Sequence, residues 1–171
     1  QPEFTQLDLE MSFVEREDVM ALIEEMMIGI IETCSDRKLV AKPFPRLAYA
    51  EAMGRFGTDR PDLRFGMELV DVSDLVAESG YGIFSKTVAA GGQVKGLCGS
   101  GCGSYSRRQV DELAELAQQE GAKGLAWLAV DADGEVRSSF AKFLTEDEVS
   151  AIIARMNAEP GDLLLLVADQ P

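Results

Sequence analysis

The sequence predicts an α+β fold, with a largely antiparallel sheet and two main packed helices, preceded by a strand and helices of a different pattern. Three observations carry that reading. Short apolar or alternating stretches recur between residues 81 and 168, separated by Gly, Asp and Ser turns. Two capping-box signatures, Ser106-Arg107-Arg108-Gln109 and Thr145-Glu146-Asp147-Glu148, each open a helical pattern. The pattern also changes near Gly66, which divides the chain into residues 1–65 and 66–171.

In the first part, Phe4 to Phe13 alternates strictly, placing Thr5, Leu7, Leu9, Met11 and Phe13 on one face and Phe4, Gln6, Asp8, Glu10 and Ser12 on the other. That is a half-buried strand with one face rich in amide and carboxylate. Glu17 to Thr33 carries an apolar stripe at helical spacing, with acids in its first turn. Ser35 to Arg46 holds basic residues and two prolines and reads as a loop. Leu47 to Phe56 is a short helix ended by Gly57, and Thr58 to Asp62 is turn-like.

In the second part, Tyr81–Lys86 and Gln93–Cys98 read as strands around a Gly91-Gly92 turn. Ser106 opens a helix to Glu120, with Gly121 at the position of a left-handed C-cap. Gly124–Val130 and Val136–Phe140 flank Asp131-Ala132-Asp133-Gly134 as a hairpin. A helix then runs from Thr145 to about Asn157. The Leu/Val run from Asp162 to Ala168 has the composition of a central strand.

Composition excludes several function classes. The 171 residues carry 16 Lys+Arg and 30 Asp+Glu, a net charge of −14, which excludes a strongly basic coat for nucleic acid; no DNA partner is expected. No apolar run approaches the roughly 20 residues needed to span a bilayer, and no membrane partner is expected. The polar opening has no signal-peptide pattern, and three cysteines do not suggest a disulfide framework, so a cytoplasmic setting is the default. The first residue is not Met and lies inside an apparent strand, which suggests a piece of a longer chain.

Histidine is absent. That removes the usual imidazole base, imidazole metal ligands and every Ser/His/Asp or Cys/His arrangement. Chemistry would rest on carboxylates, amides and backbone groups, and no catalytic side chain or metal ligand stands out. The strand at Gln1 to Glu10 offers fixed donors and acceptors of the kind an ammonium or nucleotide site needs, although an ordinary solvent-facing strand has the same spacing. Between Ser79 and Val110 there is no acid, while Lys86, Lys95, Arg107 and Arg108 are present. This local excess of +4 suits RNA phosphates, or else Arg107 and Arg108 simply occupy a solvated first helical turn. Cys98-Gly99-Ser100-Gly101-Cys102-Gly103 supplies only two thiols at the wrong spacing for a zinc site and reads as a flexible loop.

The opening segment resembles the second half of motif 2 of class II aminoacyl-tRNA synthetases, in the version of bacterial-type aspartyl-tRNA synthetases. The resemblance rests on Phe4 followed four positions later by Asp8. It continues through Ser12-Phe13, Tyr49 to Met53, Phe56 to Arg64, Ser106-Arg107-Arg108, Gly121 to Trp127, Gly161-Asp162 and Ala168-Asp169. It thus covers nearly the whole chain in order. The resemblance implies that residues 1–65 are part of a class II catalytic domain and residues 66–171 the GAD insertion between motifs 2 and 3. It further implies a parent that activates L-aspartate with ATP and Mg2+ and transfers it to tRNA, acting as a homodimer. In such a parent Phe4 would stack on adenine, Gln1 would contact the nucleotide, and Asp8 would face the substrate ammonium with Gln6 supporting that pocket. Arg107 and Arg108 become candidate tRNA contacts. The phosphate-binding Arg of motif 2, the Arg of motif 3 and the Lys and Arg that hold the aspartate carboxylate have no counterpart here, so the chain alone should not adenylate. The alternative is a non-catalytic RNA-binding or interdomain GAD module of a tRNA-dependent amidotransferase subunit.

Overall fold

The computed structural model describes residues 2–170. The chain packs as two compact units, Gln1–Leu47 and Ala48–Pro171. The expected division near Gly66 falls inside the second unit.

In the first unit, residues 2–13 form no ladder with any described residue and are exposed on both faces. The half-buried strand expected from Phe4 to Phe13 is therefore not formed. Alternation sets which side chains share a face, but a strand also needs a neighbouring backbone to receive its N–H and C=O groups. Helix α1 (Arg16–Cys34) comes next, started by a reciprocal capping box between Glu15 and Asp18. Its apolar residues recur as the sequence suggests, yet none is buried. Glu24 gathers the loop after the helix by accepting the backbone N–H of Phe44 and pairing with Arg46.

The second unit opens with α2 (Tyr49–Phe56), which stops at Gly57, where φ is 71° and a side chain would be strained. Arg55 anchors this helix to the segment entering the sheet. Its guanidinium spans both oxygens of Glu68 at 2.6 and 2.7 Å, and its carbonyl accepts the Leu69 N–H at 2.7 Å.

Next come β1 (Val70–Asp71), α3 (Ser73–Val76), α4 (Gly82–Ala89) and β2 (Gln93–Gly99). They are succeeded by α5 (Arg107–Gln119), β3 (Ala126–Val130), β4 (Val136–Ser138), α6 (Glu146–Arg155) and β5 (Leu163–Asp169). The five strands form one antiparallel sheet in the order β1-β2-β5-β3-β4. The Leu/Val run thus sits at the centre, as its composition suggests, pairing Leu165 with both Leu97 and Trp127.

Because side chains alternate along β5, one strand serves two cores. Leu164 and Leu166 join Val76, Phe84, Phe140 and Ile152, under α3, α4 and α6. Leu163 joins Val110 and Ala129, with Trp127, Leu165 and Leu113 packed against them under α5. The first cluster holds an aromatic group in which Phe84 meets Tyr81 edge-on at 4.8 Å and Phe140 at 5.2 Å.

One element changes type. Residues 81–86 read as a strand from their aromatic and β-branched content, but residues 82–89 are helical. Tyr81, Phe84 and Val88 all pack into the larger core, at the i, i+3, i+7 spacing of one helix face. Burial of that face overrides intrinsic strand preference.

Candidate functional site

The ribbon at residues 2–13 brings three of the expected site residues within five positions. Phe4 is 75% exposed, and Gln6 and Asp8 are also open to solvent. Neither the Asp8 carboxylate nor the Gln6 amide has a hydrogen-bonding partner among the described residues. An uncommitted carboxylate and an aromatic face with no packing partner are suited to an ammonium and a flat heterocycle respectively. Gln1 lies outside the described residues. Beside the ribbon, Leu9, Glu10 and Met11 border a shallow cleft of about 500 Å³ with Val19, Leu22 and Ile23 of α1. The ribbon ends where Phe13 takes a left-handed φ of 58° before the capping box of α1.

Among the described residues, no group of three or more Cys, Asp or Glu is placed to hold a metal ion. The described residues do not supply a magnesium ligand set.

Arg107 and Arg108 open α5 behind a Ser106–Gln109 capping box. Both heads point to solvent, yet each meets an acid one turn on: Arg107 with Asp111 at 3.6 Å and Arg108 with Glu112 at 2.9 Å. Lys95 donates to the Gly54 carbonyl at 3.3 Å. The acid-free span in the sequence is therefore not a free cationic patch in space, because α5 returns two carboxylates to it.

Sequence reasoning missed a buried polar knot at the head of β5. Asp162 is only 7% exposed. One carboxylate oxygen accepts the Gly101 N–H at 2.8 Å; the other accepts the Glu159 N–H at 2.9 Å and faces the Cys98 thiol at 3.5 Å. The Glu159 N–H, and after it that of Gly101, hold the Asp162 carboxyl below its ordinary range despite burial. The same burial, reinforced by the Asp162 charge, pushes the Cys98 thiol up to about 11. The loop at 98–103 is thus tied down, and Cys98 and Cys102 are free thiols. The available signal was one acid heading an otherwise apolar strand. Gly103 seals the knot by close backbone approach: its N–H donates to the Gly161 carbonyl at 2.6 Å, and a β-carbon there would meet Gly161 at 2.6 Å.

The GAD domain family matches residues 84–171, just over half of the chain. The chain is 59% identical over all 171 of its residues to the aspartate–tRNA(Asp/Asn) ligase of Symbiobacterium thermophilum, covering 29% of that protein. It is 57% identical over 169 residues to the aspartate–tRNA(Asp/Asn) ligase of Moorella thermoacetica and 49% identical over 173 aligned residues to the aspartate–tRNA ligase of Ruminiclostridium cellulolyticum, covering 28% of each. The chain therefore spans under a third of the length of these relatives. With five antiparallel strands and six helices among its described residues and this match through its C-terminal half, the chain belongs to the GAD domain family.

Proposed function

We propose that the chain is part of an aspartate–tRNA ligase whose whole length activates L-aspartate with ATP and transfers it to tRNA, with residues 66–171 as its GAD insertion. The observation that carries this reading is that identity to the relatives runs through the whole chain, across the ribbon and α1, well beyond the residues matched by the GAD family. A GAD module alone would not require the Phe4-Thr5-Gln6-Leu7-Asp8 segment.

In the whole enzyme the Phe4 ring stacks on the adenine of ATP and Gln1 contacts the nucleotide. Asp8 accepts hydrogen bonds from the ammonium of aspartate, and Gln6 supports that pocket. The chain contributes position and charge rather than a nucleophile, so the rate gain lies in alignment of carboxylate and phosphate and in electrostatics. Magnesium belongs to the ATP-dependent reaction of the parent and is held by residues outside this chain. The parent is a cytoplasmic homodimer, and Arg107 and Arg108 contact tRNA phosphates by exchanging their Asp111 and Glu112 partners for the backbone. Two of the three relatives above are named for both tRNAs, which favours charging of tRNA(Asn) as well as tRNA(Asp).

The test is Asp8→Ala in the full-length protein. Loss of a charge-assisted contact to the ammonium, about 2–4 kcal/mol, should lower aspartate-dependent pyrophosphate exchange by about 30- to 1000-fold in kcat/KM. Unchanged exchange would remove the assignment.

A further inference from the structure

The α5 face of the sheet is covered on its β3 side, where Val110 and Leu113 pack over Leu163 and Trp127. Toward β2 the same face opens into a groove of about 480 Å³ between β2, β5 and α5, the size of a small-molecule site. Strand register orders its floor. Leu97 lies opposite Leu165, Lys95 opposite Val167 and Gln93 opposite Asp169, so polarity rises in steps along the groove. Leu116 stands at the lip, 53% exposed. Just beyond α5, Lys123 pairs with Asp169, which sets the end of that helix, and Glu120 with it, beside the polar end of the floor.

Two charges in this groove are unmatched. Lys95 is half-buried, and among the described residues its ammonium meets only the Gly54 carbonyl, at 3.3 Å. A cation drawn away from water against apolar walls is stabilised by a carboxylate. Glu120 has no partner among the described residues, whereas Asp169 is matched by Lys123. The side-chain amides of Gln93 and Gln170, which also border the groove, are uncommitted as well. The groove therefore offers one cation, one anion and two amides beside a leucine floor.

That set selects among amphipathic ligands. A fatty acid would answer Lys95 but meet Glu120 as a like charge; an alkylamine would answer Glu120 and meet Lys95 as one. A zwitterion answers both. We propose that the groove binds an apolar α-amino acid. Its carboxylate accepts from Lys95 and the Gln93 amide, its ammonium donates to Glu120 and the Gln170 amide oxygen, and its side chain lies on Leu97, Leu116 and Leu165. The site draws only on residues of the second unit and stands apart from the ligase reading of the whole chain.

The test is calorimetric titration of the 171-residue chain with L-phenylalanine. A dissociation constant of about 1 mM or tighter is expected. The one-charge analogues 2-phenylethylamine and 3-phenylpropionate should bind at least tenfold more weakly, and glycine, with the head but no side chain, should give no measurable binding. K95M and E120Q should each weaken phenylalanine at least fivefold. E115Q, on the exposed side of α5 and outside the groove, should leave it unchanged. Because Lys95 also holds the Gly54 carbonyl, the exposed E120Q site carries the comparison if K95M fails to fold. No binding at about 10 mM phenylalanine would overturn the proposal. So would either one-charge analogue binding as tightly as the amino acid, or E120Q binding as the wild type does.

Discussion

Replacing Asp162 by Ala removes the acceptor for two backbone donors at once. Both Gly101 and Glu159 N–H groups point at this carboxylate, at 2.8 and 2.9 Å, and the residue is 7% exposed. Each orphaned donor costs about 1–3 kcal/mol, so the variant should lose about 3–4 kcal/mol and melt about 10–15 °C lower. Asp162→Asn should lose nearly as much despite its identical shape, because its NH2 group must face one of the two donors. The assay is urea unfolding monitored through Trp127, the single tryptophan, which packs on the α5 side of the sheet. The pH dependence has a defined sign. The folded-state pKa of Asp162 lies below its unfolded value, so its contribution is complete above the unfolded pKa of about 3.9 and is lost as pH falls through the folded value. The gap between wild type and D162A should therefore be constant from about pH 5 to 8 and shrink below about pH 4. A loss under about 0.5 kcal/mol at pH 7, or a gap that widens in acid, would refute the account of the knot.

The same core yields two further expected outcomes. Phe140→Ala empties a site of zero exposure between Tyr81 and Phe84 and should cost about 3–5 kcal/mol, measured by the same unfolding curves. Cys98, with its thiol pushed up to about 11, should be alkylated by iodoacetamide at pH 8 at least about 100-fold more slowly than exposed Cys34; peptide mass spectrometry at timed quenches checks this, and comparable rates would contradict it.

Local chemistry was the legible part of this fold. The two capping boxes at Ser106 and Thr145 start the helices they announce, and Gly57 and Gly121 both take positive φ at helix ends. The 131–134 turn joins β3 to β4, and the Leu/Val run became the central strand. The failures depended on partners that lie far away in sequence. The 81–86 segment could be either strand or helix until Phe84 and Val88 found one core. The ribbon at 4–13 alternates as a strand does, but it has no described neighbour to pair with. The acid-free span around Arg107 and Arg108 looked cationic because Asp111 and Glu112 sit just outside it in sequence and one helical turn away in space. The Asp162 knot escaped notice for the same reason, since its donors come from 61 residues upstream and three residues upstream at once. At the candidate site, the proximity of Phe4, Gln6 and Asp8 was readable; their openness to solvent was not.

The strand order carries a consequence for synthesis. With β5 in the middle, the β1-β2 pair and the β3-β4 hairpin have no common edge until the last strand leaves the ribosome. Once β4 is complete at Ser138, the two unjoined half-sheets wait with their inner edges bare until β5 has been made through Asp169. At about 5–20 residues per second the roughly 30 residues from Ser138 to Asp169 take on the order of 2–6 seconds, after which the final seven-residue strand zips both halves together.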